Sequence, residues 1–109
     1  MSIKIFVYGT LKSESEVCRV TGQKHVRYIE PALLLGFKRL SASVIIASDE
    51  DTVLGKILLN LTAEQISKLD SYEGHPYSWR REPHQALIND KIIVVDVYIP
   101  QEVILRKWQ

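Results

Sequence analysis

The apolar residues of this chain fall mostly in short runs rich in β-branched and aromatic side chains, and one stretch, Leu61 to Gly74, is written most clearly as a helix. Ile3 to Tyr8 is such a run, closed by Gly9 and Thr10. Pro31 to Phe37, Ser43 to Ala47 and Val53 to Leu61 read as further strands, the last of them buried. Trp79 to Ile88 and Lys91 to Ile99 read as a hairpin around Asn89 and Asp90, residues that tolerate turn geometry. Ser13 and Glu16 have capping-box spacing and predict a short helix through about Val20. Thr62 and Gln65 repeat that spacing at the head of the clearer helix. Gly74 suits a left-handed C-terminal cap, and Pro76 stops the helix from resuming. Gln101 to Gln109 is expected to be a final strand or an irregular tail. About six strands that do not alternate regularly with one or two helices argue against a doubly wound parallel sheet. The expected class is α+β, with a curled, largely antiparallel or mixed sheet.

The 109 residues fit one domain, expected to span 1–109. An apolar fraction of 46% supplies one core and not two. Fourteen basic residues against thirteen acidic ones leave a net charge of +1, with no basic run longer than Arg80-Arg81. That balance gives no electrostatic footprint for nucleic acid or for anionic lipid. The lone Cys18 cannot form an internal disulfide. The opening Met-Ser-Ile-Lys-Ile lacks the long apolar stretch of a signal peptide. No apolar run approaches the roughly 20 residues that span a bilayer. The expectation is a soluble, cytoplasmic protein that binds neither nucleic acid nor membrane.

The most informative side chain is Glu73. Ile66, Leu69 and Glu73 lie at i, i+3 and i+7, on one helical face. Ile66 and Leu69 must face the core, so Glu73 points inward or to the core's edge. It also sits in the last turn, where the helix dipole presents partial negative charge. Desolvation and the dipole both disfavour its carboxylate and raise its pKa, which suits proton transfer near neutral pH. The simpler alternative is that Glu73 frays outward or pairs with Arg80 or Arg81.

Val7-Tyr8-Gly9-Thr10-Leu11-Lys12 leaves the first strand through a glycine. A helix following it would gather free backbone N–H groups able to hold a carboxylate or steady an oxyanion. The second glycine and the Gly-Lys-Ser/Thr ending of a P-loop are absent.

Taken together, Val-Tyr-Gly-Thr-Leu-Lys at 7–12 and Leu-Asp-Ser-Tyr-Glu-Gly at 69–74 resemble the two signature segments of gamma-glutamylcyclotransferase-like proteins. Leu54-Gly55-Lys56-Ile57-Leu58 between them is similar to the family's strand with a central glycine. The resemblance runs over roughly residues 3 to 99. It implies a small mixed, largely antiparallel β-barrel with one or two flanking helices. It also implies an intramolecular reaction, in which the α-amine of a γ-glutamyl amide attacks its own γ-carbonyl. The products are 5-oxoproline and a free amine or amino acid. No cofactor, metal, nucleotide or covalent enzyme intermediate is implied, and the partner is a small γ-glutamyl molecule. Glu73 matches the family's catalytic acid/base. Tyr8, Gly9, Thr10 and Leu11 match the substrate-binding loop.

The family often carries Tyr directly before its Arg pair, where this chain has Trp79. Tyr77, two residues earlier and so on the same strand face, is the candidate substrate-binding residue that either replaces that hydroxyl or leaves it absent. The segment from Ser13 to Glu30 lacks the Gly-, Asn- and His-rich character common in relatives, and Ser41-Ala42-Ser43 stands where a Tyr-Pro pair is frequent. These departures support an alternative reading, a non-catalytic small-molecule binding or interaction module on the same fold.

Other polar residues read as structural. His25, His75 and His84 lack metal-ligand spacing. Asp49-Glu50-Asp51 reads as a solvated turn and not a calcium loop. Ser41 and Ser43 lie outside any nucleophile elbow.

Overall fold

The computed structural model describes residues 3–108. Five strands, β1 (Ile5–Val7), β2 (Arg27–Arg39), β3 (Ile45–Leu59), β4 (Trp79–Ile88) and β5 (Lys91–Pro100), close into a barrel in the order β1-β3-β2-β4-β5. Every pairing is antiparallel except β1 with β5, which is parallel and seals the ring. Helices α1 (Glu14–Thr21) and α2 (Ala63–Glu73) lie outside it, and a short α3 (Glu102–Leu105) follows β5. Among the described residues no helix is long and apolar enough to cross a membrane.

Two apolar clusters divide the work. Phe6, Ala32, Leu34, Ile45, Val53, Ile57, Ala86, Val95 and Val97 fill the barrel. Ile5, Val7, Leu58 and Tyr98 face outward and are covered by Val17 of α1 and by Ile66 and Leu69 of α2. This is why β1 reads as an unbroken apolar run: side chains alternate across a strand, and here both faces are buried. A five-stranded barrel is narrow, so it needs small residues where chains cross. A Cβ on Gly55 would stand 2.4 Å from the Val7 carbonyl oxygen and 2.6 Å from the Phe6 ring. Gly55 is therefore what lets β3 lie against β1 just before the loop that begins at Tyr8.

The local signals hold at both helices. Thr62 Oγ1 accepts from the Gln65 N–H at 3.1 Å, and Gln65 Oε1 accepts from the Thr62 N–H at 2.8 Å, a complete capping box. Gly74 caps α2 in the left-handed region, at φ 71°. At α1 only half of the box forms, because the Glu16 carboxylate turns to Arg19 and Tyr72. Asn89 and Asp90 both have positive φ, the requirement of a two-residue type I′ hairpin turn.

Three expectations change. The runs 43–47 and 53–61 belong to one 15-residue strand, β3, so the strands number five and not six. Ser48 to Asp51 lie opposite Gly36 where the register shifts, so the acidic triplet bulges from a continuous strand instead of ending it. Strand β2 begins at Arg27, four residues before Pro31. Pro31 sits at a second register shift, where its missing N–H costs no ladder bond. The tail from Glu102 to Trp108 is helical rather than extended or irregular, and Gln109 lies outside the described residues.

Candidate functional site

The segment after β1 is a single turn of 3-10 helix, Thr10–Lys12, held rigidly by its carbonyl groups. The Tyr8 carbonyl accepts from Arg39 Nη1 at 2.8 Å. The Gly9 and Thr10 carbonyls accept from the N–H groups of Lys12 and Ser13. The Leu11 carbonyl accepts from the Tyr28 hydroxyl at 2.9 Å, and the Lys12 carbonyl from Lys56 Nζ at 3.1 Å. Every carbonyl from Tyr8 to Lys12 is thus engaged, three of them by side chains of β2 and β3. Among the described residues, the N–H groups of Gly9, Thr10 and Leu11 donate to no backbone or side-chain acceptor. Because each peptide unit is planar, fixing the carbonyls fixes where those N–H groups point. The turn is a rigid set of three free donors.

Those three residues line a cavity of about 260 Å³. Its other walls are Tyr8, Ser43, Tyr72, Glu73, Trp79 and Tyr98, with Phe6 and Val7 at the base. Glu73 reaches the cavity because α2 packs by Ile66 and Leu69, exposed by 7% and 0%, and the same face carries on to position 73. The Glu73 carboxylate receives no hydrogen bond and forms no ion pair among the described residues. Burial pushes its pKa up from 4.5 to about 7. Arg81, a candidate partner by sequence, is committed elsewhere: it pairs with Asp70 at 2.9 Å and with Asp96 at 2.5 Å. Arg80 is exposed and forms no ion pair among the described residues.

The cavity's two buried phenols are also committed. The Tyr8 hydroxyl donates to the Tyr98 carbonyl at 2.6 Å, and the Tyr98 hydroxyl donates to Asp70 Oδ1 at 2.6 Å. Burial, reinforced at Tyr8 by the Glu73 charge and at Tyr98 by the bond to Asp70, raises both pKa values well above the usual tyrosine range. Asp70 is driven the other way. Burial opposes its charge, but the hydrogen bonds from Arg81 and Tyr98 outweigh that and hold its carboxyl below the usual range. At the mouth, Thr10 Oγ1 and Tyr72 Oη are 3.2 Å apart, and the Arg19 guanidinium lies 5.8 Å from the Tyr72 ring centre.

The five residues Tyr8, Gly9, Thr10, Leu11 and Glu73 therefore meet in one cavity. Tyr77 does not join them. It lies in the turn between α2 and β4, its N–H bonded to the Gly74 carbonyl, and its side chain is 82% exposed. The phenols that do line the cavity are those of Tyr8, Tyr72 and Tyr98. Sequence reasoning also missed the loop braces Arg39, Tyr28 and Lys56. Asp70 carried a readable signal, since it lies three residues before Glu73 and so on the same helical face. His75 serves structure, accepting the Arg81 N–H on Nδ1 at 3.0 Å. Among the described residues no three His, Cys, Asp or Glu side chains are grouped as metal ligands.

Solved structures with the same fold include At3g28950.1 from Arabidopsis thaliana, with 22% identity and a TM-score of 0.76, covering 92% of this chain and 62% of that one. A protein described as gamma-glutamyl cyclotransferase has 17% identity and a TM-score of 0.76, covering 93% and 68% respectively. An AIG2-like protein from Mus musculus has 18% identity and a TM-score of 0.68, covering 90% and 76%. This chain thus spans about two thirds of the length of the first and second of these. No match was found among curated proteins. The match that carries family assignment is to "Gamma-glutamyl cyclotransferase, AIG2-like", over residues 5–108. The chain belongs to the AIG2-like gamma-glutamyl cyclotransferase family.

Proposed function

We propose that the cavity cyclises a small γ-glutamyl amide to 5-oxoproline and releases the amine. The observation that carries this reading is Glu73, a carboxylate with a pKa of about 7 and no donor among the described residues, lining one cavity with three residues whose backbone N–H groups are free among the described residues.

The chemistry follows from the geometry. The substrate's α-ammonium must lose a proton to become a nucleophile, and Glu73 takes it. The amine nitrogen then bonds to the γ-carbonyl carbon, closing a five-membered ring. The carbonyl oxygen becomes an oxyanion, and the N–H groups of Gly9, Thr10 and Leu11 are the donors available to receive it. Glu73 returns that proton to the leaving nitrogen, takes the second proton from the ring nitrogen as the oxyanion collapses and the bond to the leaving nitrogen breaks, and passes it to the released amine, which departs as an ammonium. No proton is gained or lost overall, and nothing is oxidised or reduced. Nucleophile and electrophile share one molecule, so the rigid turn contributes by holding the ring-closing conformer. Tyr8 and Tyr98 wall the glutamyl head, and Tyr72 and Thr10 stand where the leaving amine would exit.

The test is binding together with turnover. Titrating wild-type protein with 5-oxoproline should give saturable binding. A panel of γ-glutamyl amines should yield 5-oxoproline with wild type and not with Glu73→Gln. Binding without turnover in the wild type would favour the non-catalytic binding module.

A further inference from the structure

Among the described residues Glu73 keeps an unpartnered carboxylate although two buried phenol hydroxyls, those of Tyr8 and Tyr98, line the same cavity. Each phenol has one proton to donate, and both protons go elsewhere. Tyr8 gives its proton to the Tyr98 carbonyl at 2.6 Å, and Tyr98 gives its own to Asp70 at 2.6 Å. Asp70 is built to hold that proton. Its two oxygens already accept Arg81 Nε at 2.9 Å and Arg81 Nη2 at 3.2 Å, and Arg81 Nη1 is anchored on Asp96. The Tyr98 hydroxyl is therefore held by an ionised acceptor in a charge-assisted hydrogen bond. Asp70 and Glu73 are three residues apart on α2, which places them about 5–6 Å apart at Cβ. The Tyr98 hydroxyl is bonded to Asp70, and Tyr98 shares a cavity with Glu73 closely enough to feel its charge.

We propose that Asp70 is a positioning residue for Glu73: by capturing the Tyr98 hydroxyl proton, with Arg81 holding Asp70 in place, it denies Glu73 that donor. The inference rests on the reading of Glu73 as the proton-transfer group. The charged and titratable groups on the elements packed around Glu73 fit this account. Tyr8 closes it from the β1 loop, with the Arg39 guanidinium 6.0 Å from that ring's centre. Tyr98 and Asp96 stand on β5, Arg81 on β4, and Asp70 and Tyr72 on α2 itself. His75 is tied to the Arg81 backbone, and Glu16 and Arg19 of α1 pair with each other beyond Tyr72. None of these donates to Glu73. A hydrogen bond from Tyr98 would favour the charged form and weaken the base.

The experiment is a 13C NMR titration of the Glu side-chain carboxyls, with the Glu73 resonance assigned by its loss in Glu73→Gln. It needs no substrate, so it is independent of turnover. Wild type should titrate near the raised value of about 7. Tyr98→Phe should leave that midpoint unchanged to within about 0.3 pH units, since its proton was never on Glu73. Asp70→Asn frees the hydroxyl, and the midpoint should fall by about one pH unit or more. Loss of the Asp70 charge also lowers the midpoint, but equally with or without the hydroxyl. The double variant Asp70→Asn/Tyr98→Phe separates the two, and should recover at least half of the fall. Equal midpoints in the single and double variants would overturn the proposal. So would a rise in Tyr98→Phe alone, which would mean that Tyr98 already donates to Glu73. Should Asp70→Asn fail to fold, the Tyr98→Phe arm decides. Expected midpoints in a protein that turns over no γ-glutamyl amine would sustain the role of Asp70 and defeat the functional reading.

Discussion

Asp70 and Glu73 stand one turn apart on the same face of α2 and receive opposite treatment: three hydrogen bonds converge on the Asp70 carboxylate, and none among the described residues reaches Glu73. Burial acts against both charges, and only Asp70 is compensated. The helix thus presents one carboxylate tied down and the other without a partner among the described residues.

Glu73→Gln separates chemistry from folding. Turnover should fall by about 10²–10⁴-fold, the range of a lost general acid/base. The uncompensated charge destabilises the native state, so its removal should stabilise the protein by about 2–3 kcal/mol above pH 8. Urea unfolding of both proteins at pH 8 and near pH 4 checks this, with the difference present only at the higher pH.

The sign of the pH dependence follows from the same shift. Glu73 has a folded pKa of about 7 against 4.5 unfolded, so the folded state binds more protons between these values. Its contribution to stability is fully present below pH about 4.5 and is lost as pH rises through about 7. Activity should run the other way, because the base must be deprotonated. A plot of log kcat/KM should rise with unit slope on the acid side and level above about 7. Asp70, held low, contributes stability that is lost only as pH falls through its depressed folded pKa.

Arg39 braces three carbonyls, those of Tyr8, Ala42 and Leu54. Arg39→Met should release the Tyr8 end of the donor turn while leaving the barrel core untouched. We expect kcat/KM to drop by about 10- to 100-fold, since small misplacements of binding groups carry such costs. Thermal unfolding monitored alongside kinetics should show a change of only a few degrees.

Gly55→Ala should be far more damaging than its single methyl suggests. The new Cβ would meet the Val7 carbonyl at 2.4 Å, a backbone atom with no rotamer to escape into. A loss of about 1–3 kcal/mol is expected from overpacking, readable as a lower urea midpoint. Activity should suffer with it, because Val7 leads directly into Tyr8.

Much of this architecture was legible one element at a time. The capping box at Thr62 and Gln65, the cap at Gly74 and the Asn89-Asp90 turn are local, so their chemistry is written in adjacent letters. Helical spacing from Ile66 and Leu69 was enough to aim Glu73 inward. What the chain did not disclose is long-range. Arg39, Tyr28 and Lys56 reach the loop from strands, and Tyr98 reaches the cavity from 25 residues beyond Glu73 in sequence. Tyr77 misled because strand alternation was counted from it, whereas the turn after α2 runs through Tyr77 and the strand begins only at Trp79. Tyr77→Phe should accordingly leave steady-state kinetics unchanged within about twofold, as expected of an exposed surface change.

The most direct measurement is an NMR time course of a γ-glutamyl amine labelled with 13C at the γ-carbonyl, with wild type and Glu73→Gln side by side. The account predicts that the amide signal converts to that of the 5-oxoproline lactam, with one free amine per ring formed, in wild type alone. Conversion to glutamate, transfer of the intact glutamyl group to another amine, or equal lactam formation in Glu73→Gln would contradict it.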